Sequence, residues 1–280
     1  MRRALAFLPL LLLVAGCGSD PSSFEGSGDA LKDASTSRVE LRLEGNNVPA
    51  WGTFRSTGTI DYANYRGELA FDGKSDSASQ GRLVFIGRDA YIGAKVGDAT
   101  YWVKSSGPSN RPTDRFLPGA SGMSPDRLLK DLIKASKNVE KVGSEEIRSV
   151  TTTHYRAHLD KSKLGNDGRA EVPDAVDVWV DEEGLPRRVS VPFGAGDGAP
   201  AEVVDLFDFG VPVDVHAPAA SEIVSEDEFS KLMEKECAKV KSAKDLEDAN
   251  PLCLIFGATL TGVSEGSGSD TTMPRRVSDY

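Results

Sequence analysis

Between Arg38 and Phe209 the chain carries about ten short segments in which apolar and polar residues alternate, most of them separated by turn-forming residues. A period of two puts every second side chain on one face of a strand, so each segment can bury one face and wet the other. The segments are Arg38–Leu43, Gly52–Ile60, Tyr65–Phe71, Arg82–Gly87, Ala90–Lys95 and Thr100–Lys104, then Val139–Val150, Thr151–Asp160, Asp174–Val180, Pro186–Phe193 and Ala201–Phe209. Short connections between them predict an antiparallel sheet. One stretch between the two groups breaks the rhythm. Ser124-Pro125-Asp126 reads as a helix start, and Leu128, Leu129, Leu132 and Ile133 then share one helical face. The expected class is therefore α+β, with an amphipathic helix lying leucine-side down across a large sheet.

The ends of the chain read differently. Met1–Gly16 has a basic start (Arg2, Arg3) and an apolar run of about twelve residues, too short to cross a bilayer as a helix. It ends in Val14-Ala15-Gly16-Cys17, which resembles a bacterial lipobox. The resemblance implies export, cleavage before Cys17 and lipid on its sulfur. Residues 17–28 form a Gly/Ser-rich tether. Loss of Arg2 and Arg3 with the leader takes the formal charge from -10 to -12. Such an acidic body excludes nucleic-acid binding as the main role. It would be held at a membrane by lipid rather than by charge. Cys237 and Cys253 remain as an even pair in an oxidising compartment, the setting for a disulfide; two buried thiols are the alternative. Ser225-Glu226-Asp227-Glu228 is a capping box, opening a helix to about Ala243. Pro251–Thr261 is a short apolar segment, and residues 264–280 are polar and read as disordered.

The search for chemistry returns little. His154 and His158 sit four apart on a strand, which separates them by ~13 Å, too far to share a metal. His216 lies in a Pro/Ala stretch, where a solvated loop residue is expected. Gly119-Ala120-Ser121-Gly122-Met123 lacks the last glycine of a nucleophile elbow. Gly194–Gly198 lies between two strands, not between a strand and a helix, so it is no dinucleotide fingerprint. No cofactor, metal or catalytic constellation is implied. What remains is the inner face of the sheet under its helix, either a packed core or a hollow able to hold an acyl chain. Periodicity does not separate the two.

Four groups of residues, in order, resemble a known family. Trp179-Val180-Asp181-Glu182-Glu183-Gly184-Leu185-Pro186-Arg187-Arg188-Val189 is similar to a hairpin of actinobacterial lipoproteins of the LppX/LprG type, within the LolA-like superfamily of lipoprotein carriers. Tyr91-Ile92 with Tyr101-Trp102-Val103-Lys104, Val142-Gly143 with Thr152-Thr153-His154-Tyr155, and the lipobox also match. The likeness covers residues 30–210. It implies a half-open β-barrel of about eleven strands, helices over the concave face, and a cavity for acyl chains of lipids, glycolipids or lipoproteins. It implies no enzyme activity, and a source among high-GC Gram-positive bacteria. Of the two alternating sets, the one chosen to line the cavity is Val39, Leu41, Phe54, Leu69, Phe71, Leu128, Leu132, Val178 and Val180.

The expected layout is a leader (1–16), tether (17–28), lipid-binding domain (29–218), helical extension (219–263) and tail (264–280). The expected role is a carrier anchored on the outer face of the cell membrane. The competing role is an envelope sensor of the same fold, like the RseB-type regulators, with a protein partner at Ser105–Ser121 and the C-terminal helix. A hydrolase with acids drawn from separate strands is a third, less supported reading. The extension after Pro218 departs from the family pattern and could plug the cavity mouth.

Overall fold

The computed structural model describes residues 24–45, 55–72, 81–106, 125–163, 173–192, 199–240 and 252–255. Twelve strands form one open sheet: β1 (Thr36–Glu44), β2 (Arg55–Asp61), β3 (Arg66–Asp72), β4 (Gly81–Ile86), β5 (Asp89–Val96), β6 (Ala99–Ser106), β7 (Ser136–Ile147), β8 (Val150–Leu159), β9 (Ala175–Val180), β10 (Pro186–Pro192), β11 (Ala201–Phe207) and β12 (Ile223–Val224). The spatial order is β12-β6-β5-β4-β3-β2-β1-β11-β10-β9-β8-β7. Two antiparallel meanders therefore meet where β11 pairs with β1, Leu41 opposite Val204 and Leu43 opposite Glu202. The sheet is mixed rather than purely antiparallel. The two-residue β12 runs parallel to β6, with Ile223 beside Trp102. It is too short to show an alternating pattern, and it supplies the strand beyond the ten or eleven expected.

Among the described residues four α-helical segments accompany the sheet: α1 (Ser27–Asp33), α2 (Pro125–Ala135), α3 (Glu226–Cys237) and the single turn α4 (Leu252–Ile255). β6 and β7 lie ten strand spacings apart in the order, roughly 48 Å along the sheet at ~4.8 Å each. The connection that carries α2 joins these distant strands, so it must cross the face that the sheet curves around. α2 meets that face with Leu129, Leu132 and Ala135, all buried. α1 packs beside it through Leu31, and Lys130 reaches Asp29 at 3.0 Å. The expected Ser124 cap lies outside the described residues. Ser225 does cap α3, its Oγ accepting from the Glu228 N–H at 3.2 Å. α3 ends at Cys237, short of the expected Ala243.

The two ends of the sheet differ. The β2–β3, β4–β5, β7–β8 and β9–β10 connections are tight turns at one end. The β1–β2, β3–β4, β8–β9 and β10–β11 connections leave from the other end, and each includes residues outside the described set. The hairpin motif of the family resemblance has a structural explanation at the tight end. Asp181, buried, accepts from the backbone N–H groups of Glu183 (3.1 Å) and Leu185 (2.8 Å) and from Arg187 Nε (2.6 Å). Gly184 supplies the left-handed residue of that turn, at φ +83°. β7 is one strand, with register shifts at Ser136/Asn138 and at Lys141/Gly143.

Candidate functional site

The concave face is built from in-phase residues of neighbouring strands. β1 contributes Val39, Leu41 and Leu43, β3 Leu69 and Phe71, β4 Leu83 and Phe85, β8 Tyr155 and Ala157, and β9 Val176, Val178 and Val180. β10 adds Val189 and β11 adds Val204 and Leu206. All belong to one apolar cluster with Leu31, Leu129 and Leu132 of the covering helices.

Of the residues chosen from sequence, Val39, Leu41, Leu69, Phe71, Leu132, Val178 and Val180 are buried here and lie together in this cluster. Phe54 lies outside the described residues. Leu128 sits in α2, but its side chain is outside the described set, as is all of Cys17. The β-period is what brings the chosen residues to one face. Core and hollow share that face, so burial places them without assigning them to either.

The C-terminal segment enters the same cluster. After β11 the chain runs over the convex side, where Val213 and Val215 pack with Val84, Tyr91 and Trp102 in a second apolar group. Trp102 fits because Gly93 faces it across the β5–β6 pair; a Cβ there would lie 2.7 Å from the indole. The chain then turns the edge at β12, and α3 drops Phe229, Met233 and Cys237 onto the concave side. Cys237 bonds Cys253 with Cα atoms 5.3 Å apart. Leu252 of α4 packs against Phe71 and Gly81, both bordering the long-connection end. The extension thus occupies part of the concave face on the β3–β6 side.

Polar side chains also fall on this face, among them Ser37, whose hydroxyl is hydrogen-bonded to that of Tyr62 (2.6 Å), Ser56 and Glu202, and sequence reasoning missed them. Glu202 of β11 is in phase with Val204 and Leu206, opposite Leu43 on one side and Val191 on the other. Desolvation among these apolar neighbours pushes its carboxyl up from the ordinary 4.5 to about 7. The residue nevertheless keeps part of its surface accessible. Ser56 of β2 lies between Leu41 and Phe71. It is 1% exposed, and its hydroxyl has no hydrogen-bond partner among the described residues. The signal for Glu202 was a carboxylate falling on the apolar beat of Ala201–Phe207. Asp205 falls on the opposite beat, and its surroundings differ accordingly.

The convex face is charged and internally paired. Glu40 and Asp205 stand opposite each other across β1 and β11, an acid pair of the kind hydrolysis needs. Arginines take both up. Arg188 donates to Asp205 at 2.6 and 2.8 Å, Arg42 donates to it at 2.9 Å, and Arg148 donates to Glu40 at 2.8 Å. Burial alone would raise Asp205; these guanidinium hydrogen bonds outweigh it and hold the carboxyl below its ordinary range. His154 stacks on Trp179 at 4.1 Å and reaches Asp177 (2.8 Å) and Glu145 (3.1 Å), whereas His158 reaches Glu140 at 3.5 Å. The two histidines serve separate carboxylates. His216 is exposed. Among the described residues no group of three or more His, Cys, Asp and Glu is disposed to hold a metal ion, and no helix is long and apolar enough to cross a membrane. At the tight-turn end a cleft of about 350 Å³ opens between Ile147, Arg148, Arg187, Leu206, Phe207 and Asp208. Its two arginines already bind Glu40 and Asp181.

No family model matches the chain. A curated relative, an uncharacterized 31.2 kDa protein in the rplA-rplJ intergenic region of Streptomyces griseus, is 29% identical over 141 residues, 41% of this chain and 46% of that one. The match therefore spans under half of the relative's length. Among solved structures, the lipoprotein LppX of Mycobacterium tuberculosis is similar at 17% identity, covering 71% of this chain and all of that one, with a TM-score of 0.46. LprF from Mycobacterium bovis is similar at 15% identity, covering 70% of this chain and 95% of that one, with a TM-score of 0.44.

Proposed function

We propose that the chain is an extracytoplasmic lipoprotein, tethered to the outer face of the cell membrane through Cys17, that shelters acyl chains of a lipid, glycolipid or lipoprotein against the concave face of its sheet. The observation that carries this reading is the continuous apolar face that in-phase residues of β1, β3, β4, β8, β9, β10 and β11 form beneath α1 and α2. Glu202 lies on that face between Leu43 and Val191 and keeps part of its surface accessible. An apolar hollow beside it gives each buried CH₂ ~0.8 kcal/mol, so a sixteen-carbon chain gains ~10 kcal/mol before ordering costs. Entry fits the end of the sheet from which the long connections leave, since four tight turns crowd the other end and only the β5–β6 turn at Gly97-Asp98 shares this one among the described residues. This reading involves no catalysis, and among the described residues the facing acids Glu40 and Asp205 are engaged by arginines.

Native mass spectrometry of the protein extracted from its own membrane tests the proposal. Bound species with masses of acyl lipids or acylated protein are expected. A ligand-free mass that stays unchanged after incubation with lipid would refute it.

The C-terminal segment favours a second reading. Phe229, Met233 and Leu252 already cover part of the concave face. If they fill it, the module recognises an envelope protein instead of holding cargo. Crosslinking that recovers one stoichiometric protein partner, with no lipid bound, would support that role.

A further inference from the structure

The cleft of about 350 Å³ lies at the tight-turn end of the sheet, opposite the end proposed for entry of acyl chains. Its volume is at the small end of ligand pockets, which run from ~300 to ~1,000 Å³. It has room for a molecule of amino-acid size and not for a diacyl lipid. Ile147, Val150 and Phe207 give it apolar walls, and the last two are only half-buried.

Two guanidinium groups line it with unused donors. Arg148 lies over the ring of Phe207 at 3.9 Å, and Arg187 over that of Phe209 at 4.8 Å. Stacking holds each plane in place and leaves its edges for planar hydrogen bonds. Those edges are partly occupied. Arg187 gives Nε to Asp181 at 2.6 Å, and its two terminal nitrogens have no partner among the described residues. Arg148 gives Nη2 to Glu40 at 2.8 Å, and its Nη1 has none. Across from these donors the cleft has an acceptor. Asp208 pairs loosely with Arg38 at 3.5 Å, and both side chains are well exposed.

The backbone is strained where these charges are presented. Arg148 (φ +50°) and Ser149 (φ +64°) form the β7–β8 turn in the left-handed geometry that glycine and asparagine prefer. Asp208, just after β11, is left-handed as well (φ +49°). Strain held at charged residues around one cleft is the pattern of a site that positions a ligand. Charge then narrows the ligand. Glu40, Asp181 and Asp208 balance Arg38, Arg148 and Arg187, so the cleft as a whole is neutral. A dianionic phosphate would be in excess there. A molecule with one carboxylate and one N–H donor matches it.

We propose that this cleft binds an apolar amino acid bearing a free α-carboxylate, as the free amino acid or as the last residue of a peptide. The carboxylate bridges the unused edges of Arg148 and Arg187. Asp208 accepts from the α-nitrogen, an ammonium in the first case and an amide N–H in the second. The side chain rests between Ile147, Val150 and Phe207. The site is separate from the concave face, so it stands or falls independently of the carrier reading.

Isothermal titration of the full-length protein in detergent with leucine, N-acetylleucine, leucinamide and glycine tests the proposal. Leucine and N-acetylleucine bind. Leucinamide, which lacks the carboxylate, binds at least about tenfold more weakly, the scale of one lost charge-assisted hydrogen bond. Glycine, which lacks the side chain, is also weaker. Tighter binding of leucine identifies a free amino acid, and tighter binding of N-acetylleucine a peptide end. Arg148→Gly and Asp208→Gly suit the left-handed backbone and keep the fold, checked by melting temperature. Arg148→Gly weakens both ligands about tenfold. Asp208→Gly weakens leucine more than N-acetylleucine, because an ammonium loses more than an amide. Absence of saturable binding by any probe to the folded wild type would overturn the proposal. So would leucinamide binding as tightly as leucine, or unchanged affinities in the two folded variants. None of these results bears on uptake of acyl lipids.

Discussion

Replacing Glu202 by glutamine removes a buried ionisable group while keeping its shape. In the unfolded chain this carboxyl titrates near 4.5; in the folded protein burial raises it to about 7. Below 4.5 it is protonated in both states and imposes no ionisation penalty on folding. Between 4.5 and 7 the unfolded chain loses the proton first, so the folded state binds more protons and stability falls as pH rises. Above 7 the loss is complete. At ~1.4 kcal/mol per pH unit of displacement the full effect is ~3 kcal/mol, and about 2–3 kcal/mol after allowing for the part of Glu202 that water reaches. Urea unfolding of wild type and Glu202→Gln at intervals from pH 4 to pH 8 measures it. The difference between the two proteins cancels other titrating groups, including the acid pair on the convex face. The variant gains about 2–3 kcal/mol relative to wild type between pH 4.5 and 7.5, with the change centred inside that window. Parallel curves across the range would show that Glu202 is hydrated like any surface carboxylate and would refute the desolvation argued for it.

Asp205→Ala leaves Arg42 and Arg188 without their shared carboxylate in a largely buried setting, so a loss of about 3–5 kcal/mol is expected by denaturant unfolding. Its carboxyl is held below the ordinary range when folded, so this contribution is present at neutral pH and fades as pH falls through that depressed value; wild type and Asp205→Ala should converge in stability at low pH. Cys237→Ser with Cys253→Ser opens a loop of sequence separation 16 and should cost ~3 kcal/mol, seen as a lower melting temperature that added reductant no longer changes. Cys17→Ser should abolish incorporation of labelled palmitate and move the protein from the membrane to the soluble extracytoplasmic fraction; retention at the membrane would refute the anchor.

Sequence periodicity reached far into this fold, and its range shows why. The alternation of Val39, Leu41 and Leu43, or of Val176, Val178 and Val180, is a local property of a pleated strand, so it grouped residues by face without knowledge of any neighbour, while the choice between the two faces needed the fold. The leucines of α2 and the Ser225 cap of α3 are likewise written within a few residues. Turn chemistry at Asp181 and Gly184 was legible for the same reason.

Adjacency was not. No local pattern says that β11 pairs with β1 and closes the two meanders into one sheet, or that β12 runs parallel to β6. Nor does the capping box reveal that Phe229, Met233 and Leu252 share a cluster with Leu69 and Phe71, contacts made across more than 150 residues. Glu202 marks the boundary most clearly. Its place on the inward beat was readable from Ala201–Phe207, but its enclosure depends on Leu43, Val191 and the curvature around them. A side chain's direction follows from its own strand; the medium it enters is made by residues distant in the chain, and only the folded structure brings them there.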